Sequence, residues 1–244
     1  MRDLAIILGA TGGLGTAIVD VFARRGDRII AVARSRSGVS QLESKYPLSP
    51  SRSGGGEGGG VSGDTADLTS RQAVDDLWER IDRIGVPRWV VNATGGFRGG
   101  NVVDSTPDDF TFMIDLNLGS AWWSCRSAAR RMQRSPAGGP GGGIVNVASR
   151  SALVAEPGAA AYAVAKAGVI KLTEVLAAEL KATGVRVNAV VPAIIDTPAN
   201  RQSLPEKLIQ KTVAPASIAA VIAYLCSDAA AVITGAAVPV YGKF

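Results

Sequence analysis

Histidine does not occur anywhere in the 244 residues. Its absence removes Ser-His-Asp and Cys-His nucleophilic catalysis, histidine-ligated zinc or haem, and a histidine general base. Cysteine occurs only twice, at Cys125 and Cys226, too few for a thiolate zinc or iron–sulfur centre, so no metal is expected. The pair reads as free, buried, reduced thiols, with an inter-helix disulfide as the alternative, and a reducing cytoplasm is the expected location. Long apolar runs are also missing. The longest, Thr212 to Ser227, contains Pro215 and falls short of the roughly eighteen residues a membrane-spanning helix needs. The apolar start Leu4–Leu8 ends at once in glycines, without the length of a secretory leader. Neither a membrane nor export is expected. Aromatic residues make up 5% and charged residues 19%, against 47% hydrophobic, which supports a full core and excludes disordered or collagen-like chains. The net charge of +5 comes from scattered arginines. It points to small anionic molecules and away from nucleic acid as partners.

Short β-branched runs at Leu4–Leu8, Arg28–Ala33, Arg88–Asn92, Ile144–Val147 and Val185–Val190, with a short third strand near Val61, alternate with helical patterns. Each run is almost wholly apolar, as burial on both faces requires. The expected fold is therefore α/β: a doubly wound, mostly parallel, Rossmann-like sheet with helices on both faces, formed by residues 1–244 as a single domain without repeats. Leu14, Ala17, Ile18, Val21 and Phe22 form one apolar stripe, predicting a helix after the first strand. Pro47 to Ser62 and Ser135 to Gly143, rich in glycine, proline and serine, read as surface loops; the first is expected to be a disordered insertion without chemistry.

The first strand feeds that helix through Gly9, Ala10, Thr11, Gly12, Gly13, Leu14 and Gly15. Glycines let the backbone approach a pyrophosphate, and the N–H groups and dipole of the helix start favour its charge. The position of the turn favours dinucleotide binding over a tight turn kept for packing alone. At the end of the second strand, where a carboxylate would accept the 2′-hydroxyl of NAD(H), this chain has Arg34 and no acid. A guanidinium suits the 2′-phosphate, so NADP(H) is expected over NAD(H). Asp67, beside Leu68 after the third strand, is suited to the adenine amino group or to capping the next helix.

Ser149 ends the strand that begins at Ile144, and thirteen residues further come Tyr162 and, four on, Lys166. Residues four apart share a helix face, and an ammonium beside a phenol lowers its pKa, making tyrosine an acid or base without histidine. A serine hydroxyl can hold a carbonyl oxygen while a hydride reaches its carbon.

With these motifs the sequence resembles the short-chain dehydrogenase/reductase family along essentially its whole length. The glycine turn is similar to the family's T-G-x-x-x-G-x-G, with Leu8 in place of threonine. Asn92, Ala93, Thr94 and Gly95 resemble its N-N-A-G, which shapes the sheet and touches the adenosine ribose. Asn117 matches the helix asparagine that positions a proton-relay water, and Asn117, Ser149, Tyr162 and Lys166 complete the family's catalytic tetrad. Pro192 to Thr197 is similar to P-G-x-I-x-T, with Ala193 replacing the glycine; Pro192, Ile195 and Thr197 are the implied nicotinamide contacts. Tyr162 and Lys166 are implied cofactor contacts as well. Further implications are a small-molecule substrate and a homo-oligomer, dimer or tetramer, built through the helices around Asn117 and Tyr162.

Gly95–Asn101 and Thr197–Pro205 look locally like dihydropteridine reductase. That branch uses NADH through an acid after the second strand and lacks the tetrad serine, whereas this chain has Arg34 and Ser149, so a carbonyl substrate is expected. A quinonoid pterin, a 3-oxoacyl carrier-protein thioester and a non-catalytic NADP-sensing role are the alternatives. Arg126, Arg130, Arg131 and Arg134 are candidates for carrier-protein docking or an ordinary solvated face. Phe97 and Arg98 are candidate substrate contacts, on a glycine-rich arm that is expected to move with Thr197–Pro205 as a lid.

Overall fold

The computed structural model describes residues 3–49, 59–134 and 141–244. Among the described residues seven strands form one sheet, in the order β3-β2-β1-β4-β5-β6-β7. They are β1 (Leu4–Leu8), β2 (Arg28–Ala33), β3 (Gly60–Thr65), β4 (Trp89–Asn92), β5 (Gly143–Val147), β6 (Arg186–Pro192) and β7 (Ala237–Val240). Every neighbouring pair is parallel. The order runs outward from β1 in both directions, which places a crevice at the carboxyl ends of β1 and β4, where α/β folds bind ligands.

The apolar strands divide their side chains between two helical layers. Ala5 and Ile7 of β1 face a cluster with Ile18, Val19 and Phe22 of α1 (Gly15–Arg25), Leu42 of α2 (Arg36–Lys45) and Ile218 and Ile222 of α9 (Pro215–Leu225). Leu4, Ile6 and Leu8 face Leu77 and Trp78 of α3 (Arg71–Asp82), Ala128 of α5 (Ser120–Met132) and Leu176 of α6 (Ala160–Glu179). The period-two division explains why the strands look uniformly apolar in sequence: both faces are core. α1 ends at Gly26, whose φ of 89° and N–H bond to Ala23 O close the helix in a left-handed turn. Between β4 and α5 lie α4 (Pro107–Ile114) and one π-helical turn, Asp115–Gly119. Between β6 and α9 lie α7 (Pro198–Ser203) and α8 (Glu206–Ile209).

Several sequence expectations change. β7 is not among the strands the sequence predicts; with Pro239 inside it, it reads poorly as a strand, but it is the sheet edge, where proline is tolerated. The short third strand expected near Val61 is β3, which takes in the end of the stretch also read as loop, and Gly143 begins β5. The disordered insertion expected in the first loop falls mainly on residues 50–58, and much of the second loop on 135–140, outside the described residues. Most of the apolar run from Thr212 is α9, with Pro215 at its first turn. Among the described residues no helix is long and apolar enough to cross a membrane. Both cysteines are free and buried, and burial pushes each thiol up to about 12.

Candidate active site

Gly9 follows β1 with φ 81°, and a Cβ there would stand 2.8 Å from the backbone of Ala93 and Thr94. The N–H groups of Gly9 and Ala10 both donate to Val32 O, at 2.9 and 3.0 Å. A Cβ on Gly15 would lie 2.0 Å from Gly9 O, so the helix starts directly against the turn. Among the described residues no side chain caps α1, whose N-cap is the buried Leu14; Thr16 N already donates to Gly12 O at 3.0 Å, and the turn before it faces the positive end of the helix, which favours an anion. Thr11 lies against the start of α2 at Gly38, and Gly13 against Thr197, because a Cβ on either glycine would meet that threonine's Cγ2, at 2.8 and 2.6 Å. Gly12 has room for a Cβ.

Of the two arginines after β2, Arg36 is committed to Glu43 at 2.7 Å and to Gly63 O at 3.0 Å. Arg34 is exposed and makes no hydrogen bond or ion pair among the described residues. It lines a cavity of about 420 Å³ with Asp67, Thr69, Asp108, Thr111, Phe112, Asp115 and Leu116. Asp67 does not cap α3, correcting one of its two readings: Ser70 is the cap, and Asp67 accepts from Thr69 N at 3.0 Å and Thr69 Oγ1 at 2.7 Å. Those bonds, with Arg34 nearby, hold its carboxyl below the usual range. Leu68 beside it is buried. The cavity wall from α4 and its π turn was missed by sequence reasoning, since no local spacing signals a tertiary approach of that helix.

Ser149 extends β5 and is 8% exposed, and its Oγ accepts from Ser151 N at 3.3 Å. Tyr162 lies in the first turn of α6 with its hydroxyl against Ser149. One turn on, Lys166 is buried, its Nζ donating to Val147 O at 2.8 Å and lying 5.8 Å from the Tyr162 ring centroid. Burial pushes the Tyr162 phenol up, and the Ser149 hydrogen bond only partly offsets it. Burial also brings Lys166 down to about 8. The expectation that the ammonium would lower the phenol is therefore not met in the protein by itself, because desolvation acts on both groups.

Asn117 is buried in the π turn, and its side chain clamps the arm after β4: Nδ2 donates to Gly96 O at 3.0 Å and Gly96 N donates back at 3.2 Å. A Cβ on Gly95 would stand 2.7 Å from Asn117 Oδ1 and 3.1 Å from Lys166 Nζ, which brings arm, asparagine and lysine together. Such π turns recur at functional sites. Asn92 takes the sheet-shaping part of the role expected of its motif. Its Nδ2 donates to Asn146 Oδ1 at 2.6 Å and Cys125 Sγ at 3.2 Å, so its side chain belongs to the core and not to a ribose. Thr94 Oγ1 is buried without a partner among the described residues.

Phe97 meets the Tyr162 ring edge to face, with centroids 5.2 Å apart. Arg98 is turned away: it pairs with Asp109 at 2.7 Å and stacks over Phe112 at 4.3 Å. The expected free cation is thus already neutralised. The arm is also tied down, Gly100 N donating to Gly158 O at 2.9 Å and Ala160 N to Gly100 O at 3.2 Å, which argues against free lid motion at that point. Ile195 bridges Val213, and Thr197 caps α7 by accepting from Asn200 N at 3.2 Å. Pro192 ends β6. Ala193 needs no glycine, since among the described residues every positive φ belongs to a glycine.

A parallel sheet with an uncapped glycine turn beside a serine, tyrosine and lysine defines a dinucleotide-linked oxidoreductase. The family model described as enoyl-(acyl carrier protein) reductase matches residues 9–242, and the chain belongs to the short-chain dehydrogenase/reductase family, enzymes of the CH–OH/C=O couple that use NAD(P)(H). It is 33% identical to the D-threitol dehydrogenase of Mycolicibacterium smegmatis, over 99% of this chain and 92% of that protein. It is 32% identical to a 3-oxoacyl-acyl-carrier-protein reductase of Pseudomonas aeruginosa, over 98% and 96%. A solved short-chain dehydrogenase/reductase from Burkholderia xenovorans superposes with a TM-score of 0.85 at 30% identity, covering 98% of this chain and 95% of that one.

Proposed function

We propose that residues 1–244 act as one NADP(H)-dependent oxidoreductase domain that reduces a ketone or aldehyde carbonyl of a small substrate, with Tyr162 as the proton donor. The observation that carries this reading is the convergence on Tyr162: its hydroxyl lies against Ser149, Lys166 Nζ lies 5.8 Å from its ring centroid, and the phenol carries its proton at neutral pH, the state an acid needs. The relatives' names, a D-threitol dehydrogenase and a 3-oxoacyl reductase, share the carbonyl–alcohol couple and differ in substrate.

The residues present fit the cofactor. Gly9, Thr11, Gly12, Gly13, Leu14 and Gly15 would hold its phosphates at the uncapped helix start, and the unengaged Arg34 its 2′-phosphate. Asp67 and Leu68 would hold the adenine, Ala93 to Gly95, with the orphaned Thr94 hydroxyl, the adenosine ribose, and Pro192, Ile195 and Thr197 the nicotinamide. When bound, NADPH supplies the hydride to the carbonyl carbon. Ser149 donates its hydroxyl proton in a hydrogen bond to the carbonyl oxygen, and Tyr162 gives its proton to that oxygen as negative charge develops there. Lys166, held at the end of the Ser149 strand by Val147 O, stabilises the phenolate that remains. Asn117 fixes the arm beside Lys166 through Gly96.

Carrier-protein docking through α5 is weakened by pairing of Arg126 with Asp75 and Arg131 with Asp82. Exposed Trp122, Val164 and Val175 on α5 and α6 support assembly of copies through those helices, and two free thiols suit the cytoplasm. A flat ring, Phe97, beside Tyr162 keeps quinonoid pterin as the second reading. The experiment is an NADPH-oxidation screen against simple diketones, acetoacetyl thioester and quinonoid dihydropterin. Turnover of a ketone supports the proposal; turnover of dihydropterin alone, or of nothing, refutes it.

A further inference from the structure

Phe97 lies beside Tyr162 on one side of the proposed site; a second aromatic ring, beyond the edge strand, lies by the segment that follows Ser149. β7 is parallel to β6, so the chain leaving Val240 emerges at the same carboxyl edge as Ser149. Tyr241 packs against the cluster containing Ala148 and Val191. Gly242 lies against Val213, where a Cβ would come within 2.8 Å of Cγ2, and Val213 is bridged to Ile195. Phe244 follows, and its ring is flanked by two cations: the Arg150 guanidinium and the Lys211 ammonium each lie 5.6 Å from its centroid.

Those partners matter because of where they come from. Arg150 is the residue after Ser149 and is itself held by an ion pair to Glu156. Lys211 precedes the Ile195–Val213 bridge on the segment that returns from α8. A single ring therefore joins Arg150, next to Ser149, and Lys211, two residues before the Val213 bridged to Ile195, to the chain beyond the edge strand. Two cation–π contacts limit where that ring can sit, and it still presents 38% of its surface outward. The tie crosses the end of β6, the strand between β5 and β7.

We infer that Phe244 is a specificity-determining residue, an apolar wall on the β6–β7 side of Ser149 that limits the bulk of one carbonyl substituent, with Arg150 and Lys211 holding the ring in place. This rests on the carbonyl-reductase reading. The substrate class it implies is a ketone or aldehyde with a compact apolar group on that side.

The test compares the unmodified enzyme with Phe244→Ala and Phe244→Trp on methyl ketones whose second substituent grows from methyl to cyclohexyl, with NADPH saturating. The readout is each enzyme's ratio of kcat/KM for the bulky ketone to that for the small one. Admitting or refusing a methylene at an apolar wall changes kcat/KM by about tenfold or more. Phe244→Ala should raise the ratio by at least about tenfold, and Phe244→Trp should lower it. NADPH binding by fluorescence checks folding; if Phe244→Ala fails that check, Phe244→Leu replaces it under the same criterion. Turnover with ratios unmoved in the variants overturns this proposal alone. No turnover of any ketone by the unmodified enzyme overturns the carbonyl reading and this proposal with it.

Discussion

Cofactor choice rests on one exposed side chain, which makes it open to a sharp test. Arg34 is unengaged and lines the cavity with Asp67, whereas its neighbour Arg36 is spent on Glu43 and Gly63. A guanidinium–phosphate contact is a charge-assisted hydrogen bond, about 1.5–3 kcal/mol. Solvent screening at an exposed position selects the low end, about 1.5 kcal/mol, or roughly tenfold in kcat/KM. The unmodified enzyme should therefore favour NADPH over NADH by at least that factor, and more at low ionic strength than at high. Arg34→Ala should remove the preference by weakening NADPH with little change for NADH. Arg34→Asp should reverse it, because a carboxylate repels the 2′-phosphate and accepts the 2′-hydroxyl of NADH. Arg36→Ala should shift the ratio little, since that guanidinium is already occupied. Steady-state titration of both cofactors on one substrate at two salt concentrations decides the matter. A preference for NADH in the unmodified enzyme, or an unchanged ratio in Arg34→Ala, would refute the assignment.

Tyr162→Phe should cut turnover by about 10²–10⁴-fold while NADPH binding, followed by fluorescence, is retained; near-normal turnover would reject Tyr162 as the acid. Ser149→Ala should be similarly damaging for a ketone and nearly silent for a quinonoid imine, so the two substrates compared on one variant separate the readings. Lys166 titrates near 8 in the fold against 10.5 for the free side chain. The unfolded chain thus binds the extra proton between those values, and stability should rise with pH from about 8 to about 10. Denaturant unfolding across that window should show a slope that Lys166→Met reduces; equal slopes in both proteins would contradict the burial argument.

The fold was legible because its strands are buried on both faces. Uniform apolar runs such as Leu4–Leu8 and Ile29–Ala33, separated by helical stripes, suit a parallel sheet between two helical layers and little else. β7 escaped for the converse reason: it is short, partly exposed and interrupted by Pro239, so neither periodicity nor propensity marks it. The π turn at Asn117 was hidden as well. Its sequence, DLNLG, reads as ordinary helix, and only the clamp on Gly96 gives the bulge a purpose.

At the site, residue types were legible and their engagements were not. Ser149, Tyr162 and Lys166 stand at spacings that reflect strand end and helix turn, so sequence predicts their convergence. Charge state depends on desolvation, which is a property of the packed molecule. Burial raises Tyr162 and lowers Lys166, so a simple ammonium–phenol couple does not describe the pair. The same logic separates the arginines. Arg34, Arg36 and Arg98 are alike on paper, yet Glu43 claims Arg36 and Asp109 claims Arg98 from positions seven and eleven residues away. Of the three, Arg34 alone keeps its charge available. A guanidinium without an ion pair or hydrogen bond among the described residues, beside a cavity with room for a ligand, carries more functional weight than any arginine identified by sequence position alone.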